Sequence, residues 1–267
     1  APAPEDATMW SARARDRMLL EALKIAPPAL RRIIALHPRE LVAGLRRGEG
    51  FEGQPQHRQE SDLPGAGAAA ALATVGRKAV DALDAHRPMK DVAYYLGLAA
   101  HFAVDLSDPT LTAPGGTDAP FTGDFSRYTD RNLEKFPVVF YGYPELPAAR
   151  SLTDAPPPVE SLEPAGRAEA AAARKYYPHI ARAYARSGGS SSGFDVRSIP
   201  FGVASLCYSR GVTNIARAWL QIWISARGDL TGTPHLVRAG GPGSRADESA
   251  KSHPVAKVTE SSNVSKD

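Results

Sequence analysis

His101 and Asp105 stand four residues apart in the otherwise apolar run from Tyr94 to Leu106. On a helix, residues i and i+4 share a face, so the imidazole and the carboxylate converge on one point inside the fold. Such a pair satisfies itself by hydrogen bonding, holds a metal ion with further donors, or does acid–base chemistry. A metal needs more ligands, since zinc takes about four N, O or S donors. Asp108, three residues beyond Asp105, is one source, although Ser107-Asp108-Pro109 is also ordinary turn chemistry. His57, in a polar loop among Gln54, Gln56, Arg58 and Glu60, is either a solvated loop histidine or a ligand. His37 and His86 sit at expected helix ends, His179 follows Pro178, and His235 and His253 fall in a polar tail.

The elements that must position these groups read as helices almost throughout. Helices are predicted over 11–25, from Pro28 through Leu36, from Pro38 to Arg47, over 66–85 and over 89–106. On the first, Met18, Leu19, Ala22, Leu23 and Ile25 form the apolar side, with Arg13, Arg15 and Arg17 placed elsewhere. Asp124 is expected to cap a helix through Tyr128, Leu133 and Phe136, and residues 138–141 to run extended. A helix over 163–186 is expected to kink at Pro178. Ile199 to Ala226 reads as a helix pair, with Gly202 and Gly211 as break or close-packing points. From Thr231 onward Gly, Pro, Ser and mixed charge leave no apolar period, which predicts a tail that is disordered or ordered by a partner. The expected organisation is an arm at 1–9, one all-α multi-helix bundle at 10–230 and a C-terminal tail at 231–267.

Composition narrows the classes. The chain has 267 residues, 43% hydrophobic and 23% charged, with a formal charge of +3 spread along its length rather than gathered in a basic block. This does not point to nucleic-acid binding. No apolar run reaches the roughly 18 residues of a membrane span. Cys207, the single cysteine, excludes an internal disulfide and a thiolate-rich zinc site, and its apolar helix makes it a core thiol. There is no phosphate loop following a strand and no sheet to support a Gly-x-Ser-x-Gly nucleophile. The opening Ala1-Pro2-Ala3-Pro4 resembles the start left after removal of a signal peptide, which predicts a periplasmic or secreted protein.

Taken together, these residues resemble the zinc-dependent phospholipase C and single-strand nuclease superfamily, all-α proteins that cleave phosphate esters at a three-zinc cluster. The resemblance lies in Trp10-Ser11-Ala12 through Leu23, in the turn Ile25-Ala26-Pro27-Pro28-Ala29-Leu30, in His57 at a loop-ligand place, and in His101-x-x-x-Asp105 trailed by Pro109. It implies a metal set of His57, His101, Asp105 and Asp108. The chain departs from the family pattern elsewhere. Arg13, Arg15, Asp16 and Arg17 surround the place of a first-helix histidine, and Glu49 and Glu52 stand where a loop Asp is expected. Phe125 and Thr129 fall at the places of a His-x-x-x-Glu pair, with Asp130 one residue off. Nine residues precede Trp10, whose free amine would be a ligand in the family.

Arginines at a ligand place repel a cluster carrying about six positive charges. The expectation is therefore a degenerate, exported relative that has lost the trinuclear site, holds no cofactor, and serves as a non-catalytic binding or accessory subunit with its tail on a protein partner. The alternative is a phosphodiesterase acting on phospholipid or nucleotide esters, with zinc on a reduced site of His57, His101 and Asp105 plus an acidic residue such as Asp108 or Glu52.

Overall fold

The computed structural model describes residues 8–47, 55–144 and 156–236. Within these, the chain is helical and contains no strand. The expected all-α bundle is the observed fold. The helices are α1 (Ala12–Ile25), α2 (Pro28–Leu36), α3 (Pro38–Arg46), α4 (Gly67–Asp84), α5 (Met89–Asp105), the single turn α6 (Pro109–Thr112), α7 (Thr122–Asn132), α8 (Leu162–Arg174), α9 (Tyr177–Arg186) and α10 (Ile199–Ser225). No helix among the described residues is long and apolar enough to cross a membrane. The glutamates at 49 and 52, the arm up to residue 7 and the tail from residue 237 lie outside the described residues.

α5 is the centre. It is apolar on nearly every side, the pattern of a helix enclosed by others, and it packs against α3, α4 and α10. From Val92 to Asp105 it buries eleven residues, His101 and Asp105 among them. Two glycines bring α3 and α5 together: a Cβ on Gly44 would lie 2.8 Å from Leu98 N, and one on Gly97 would lie 2.9 Å from Leu45 N. Neither backbone can move aside, so only hydrogen fits. α10 is tied to α5 by Trp219 Nε1–H donating to Leu96 O (2.9 Å) and Asn214 Nδ2 to Ala103 O (3.4 Å).

Four local expectations change. α10 is one unbroken helix, because Gly211 relieves packing rather than ending the helix: a Cβ there would meet Met18 Sδ at 2.7 Å and Ser107 Oγ at 3.1 Å. Gly202 faces open space. Pro178 divides its segment instead of kinking it, and sits in the first turn of α9, where its missing N–H is not needed. Asp124 does not cap α7; its Oδ2 accepts from Tyr184 O–H and Ser191 N–H. Residues 137–142 form no strand but hang along α10, held by side chains spaced one turn apart. Val139 N–H donates to Ser209 Oγ (3.1 Å), Tyr141 N–H to Thr213 Oγ1 (3.2 Å), and Arg217 Nε–H to Gly142 O (2.8 Å).

Packing also extends past both boundaries drawn from sequence. Thr8 and Met9 are buried, and Leu236 packs on Leu220 and Ile224. The α3–α5 crossing generates a prediction. Gly97→Ala forces these helices apart and lowers unfolding free energy by about 3 kcal/mol, as overpacking does, readable as a fall in the urea midpoint. An unchanged midpoint contradicts the close crossing.

Candidate metal centre

His101 and Asp105 occupy the last two turns of α5 and are fully buried. His57 ends the single turn Pro55–His57 and is 1% exposed, so it is a core group rather than a solvated loop histidine. The segment behind it explains why. Gln59 N–H donates to Leu111 O (3.0 Å), Ala68 N–H to Arg58 O (3.1 Å) and Ala69 N–H to Gln59 Oε1 (3.0 Å). The loop is pinned between α4 and α6 with the imidazole turned inward, stacked on Phe102 at 5.1 Å between ring centroids.

Three donor atoms converge there. His57 Nδ1 lies 2.9 Å from Asp105 Oδ2 and 3.1 Å from His101 Nε2, and His101 Nε2 lies 3.3 Å from Asp105 Oδ2. The His101–Asp105 contact expected from the i, i+4 spacing is present, with His57 the nearer partner of the carboxylate. On its far side His101 donates Nδ1–H to Leu45 O (2.8 Å), which directs the Nε2 position into the triangle. This carbonyl–imidazole arrangement is the one that orients metal-binding histidines. Donor–donor edges around a tetrahedral zinc are about 3.3 Å, given bonds near 2.0 Å. The observed edges are slightly shorter and match hydrogen-bond lengths. The triangle suits one shared metal ion with a small expansion.

A fourth group decides the electrostatics. Arg15 is 1% exposed, and its Nη2 lies 2.8 Å from Asp105 Oδ1. This corrects its placement away from the apolar side of α1. Arg15 falls in the buried series with Ala14, Met18, Leu19 and Ala22, and that spacing was the available signal. Burial alone would push the Asp105 carboxyl up. The charges at His101 and Arg15, then hydrogen bonds with His101 and His57, outweigh burial and hold it well below the usual carboxylate range.

The other predicted ligands lie apart from the triangle. Asp108 is spent on four hydrogen bonds, Oδ2 accepting from Thr8 O–H (2.6 Å) and Met9 N–H (2.8 Å), Oδ1 from Thr110 N–H (2.7 Å) and Thr110 O–H (2.6 Å). Burial nonetheless pushes its carboxyl up. Trp10 N is a peptide N–H donating to Thr8 Oγ1 (3.2 Å). Phe125 is buried in the core, Thr129 Oγ1 donates to Met9 O (2.7 Å), and Asp130 accepts from Ser11 O–H (2.6 Å). Cys207 is buried and burial pushes its thiol up, which removes it as a nucleophile at neutral pH. None of His57, His101 and Asp105 lines the cavities of about 450, 350 and 190 Å³ found elsewhere in the chain.

Solved structures share the helical fold. Clostridium perfringens alpha-toxin from an avian strain superposes with a TM-score of 0.58 at 12% identity, over 84% of this chain. Alpha-toxin from Clostridium absonum superposes at 0.53 with 15% identity, over 88% of this chain. The chain spans 66% and 67% of the length of those two proteins. At such identity the likeness establishes the fold alone. No protein-family model matches the chain, and no curated protein sequence is detectably similar to it.

Two outcomes follow from the Asp105 pairing. Asp105→Asn leaves the Arg15 guanidinium buried without its counter-charge and is expected to lower stability by about 3–5 kcal/mol. Because the folded carboxyl is depressed, its contribution is complete above the ordinary carboxylate range and is lost as pH falls below it. Wild type should therefore lose stability between about pH 4 and pH 2 more steeply than Asp105→Asn, measured as urea midpoint against pH. Parallel curves refute the ionised, paired carboxylate.

Proposed function

We propose that this chain is an exported, non-catalytic binding or accessory protein of the phospholipase C-like fold, whose ancestral three-metal site has become a structural cluster. One observation carries the reading: the Arg15 guanidinium sits against Asp105 where a second or third metal ion would need the carboxylate, in a place that solvent does not reach. A guanidinium cannot be deprotonated at accessible pH. It supplies the positive charge that Asp105 requires and repels further cations. The remaining donors do not fit a trinuclear cluster either, since Asp108, Thr129 and Trp10 N are committed to hydrogen bonds.

A reduced site is the second reading, favoured by the three donor atoms that can reach one ion. His57, His101 and Asp105 would hold it. A bound zinc acidifies a coordinated water toward a pKa of about 7. Around it, this chain's own groups do the orienting: Leu45 O fixes the His101 ring, Phe102 fixes the His57 ring, and Arg15 keeps Asp105 ionised. A substrate, however, must reach the site, and all three ligands are buried among the described residues.

Metal analysis with a phosphodiesterase assay separates the two. Wild type is expected to retain well under one zinc per chain after dialysis and to hydrolyse neither phospholipid nor nucleotide diesters. Arg15→His removes the competing cation, adds a fourth donor and is expected to bind about one zinc per chain. Two or more zinc ions on wild type, with diesterase activity abolished by His101→Ala, would sink the non-catalytic reading.

A further inference from the structure

At a different place in the fold, a cavity of about 450 Å³ lies between α9 and the first turn of α10. His179, Arg182, Ala183 and Arg186 line it from one face of α9, since these positions recur every three to four residues. Ser198, Ile199 and Pro200 close it from the start of α10, with Phe194 between. None of these residues belongs to the His57–His101–Asp105 cluster.

The charge here is one-signed. No Asp or Glu among the described residues lines the cavity. Arg182 bonds Pro178 O (3.2 Å) and lies 3.5 Å from His179 Nδ1, and no carboxylate among the described residues pairs with Arg182 or Arg186. The nearby acids face other groups: Asp195 accepts from Arg197 N–H and Asp124 from Ser191 N–H. Two arginines at i and i+4 without a counter-charge repel each other along α9. Arg186 lies in the last turn of α9, where the negative helix end favours a cation without supplying a full counter-charge. Opposite stands the positive end of the 27-residue α10. The rest of the lining is largely apolar, formed by Ala183, Phe194, Ile199 and Pro200, with Ile199 exposed. A cationic rim over an apolar floor of this volume matches a small ligand with one charged end.

We propose that this cavity binds a small amphipathic anion, a phosphate or carboxylate head group bearing an apolar chain. The head group sits between Arg182 and Arg186 and the chain lies against Phe194 and Ile199. Free phosphate shares the head-group chemistry but not the apolar contacts, so the two sources are separable.

Isothermal titration of the full chain tests this, with octyl phosphate below its micelle concentration and with inorganic phosphate. Octyl phosphate is expected to bind saturably, and inorganic phosphate about tenfold or more weaker, because only the former buries apolar surface. The double variant Arg182→Glu/Arg186→Glu, altered only at exposed positions, should keep the wild-type melting temperature and bind octyl phosphate about tenfold or more weaker. Ala183→Phe, which fills the floor, should weaken octyl phosphate and leave inorganic phosphate unchanged. Equal affinity in wild type and the double variant, or no saturable binding, overturns the site. Binding to anionic vesicles without binding to monomeric octyl phosphate overturns it too, assigning the patch to a membrane surface instead.

Discussion

One buried negative charge organises this molecule. Asp105 sits at the end of the central helix with no access to water. An ionised carboxylate in such a place is strongly unfavourable unless it is paired and hydrogen-bonded. The fold meets that requirement from three directions. Arg15 reaches it from α1, His57 from the turn before α4, and His101 from the preceding turn of α5, itself held by Leu45 O of α3. Four segments far apart in sequence are thus bound to one carboxylate. Displacing any of them strands a charge or a ring nitrogen in the core.

The second buried carboxylate, three residues on, solves the same problem differently. Asp108 has no cation beside it and is surrounded by hydroxyl and amide donors from Thr8, Met9 and Thr110. Its pKa moves up whereas that of Asp105 moves down. The contrast follows from what each one faces, a full positive charge in one case and dipoles in the other. Functionally, Asp108 ties the residues ahead of α1 to the end of α5, while Asp105 holds the chemistry-bearing cluster together.

This buried cluster lies apart from the cavity between α9 and α10. The cluster has donors, orientation and charge and is buried among the described residues. The cavity between α9 and α10 is lined by Arg182, Arg186 and apolar side chains, and no metal-binding set lines it among the described residues.

Much of this was legible in the residues themselves. Helix periodicity, the prolines at 28 and 38 and the His101–Asp105 spacing define the bundle and mark where its polar core lies, because all of these are local. Arg15 was legible in part: its place in the apolar series of α1 marks it as buried, but not what it meets. Its partner lies ninety positions away, and only the packing of α1 against α5 decides that a guanidinium meets a carboxylate. His57 is similar, since an isolated polar loop favours solvent until backbone bonds to Leu111 and from Ala68 turn the imidazole inward. Of the two roles open to Gly211, packing against Met18 and Ser107 selects the close approach, and Pro178 is set in a first turn rather than at a kink for the same reason. Sequence alone determined the elements and the residue types able to do chemistry. Tertiary structure decided which charges face one another, because Coulombic and desolvation energies depend on distance and burial, and neither is a property of a single stretch of chain.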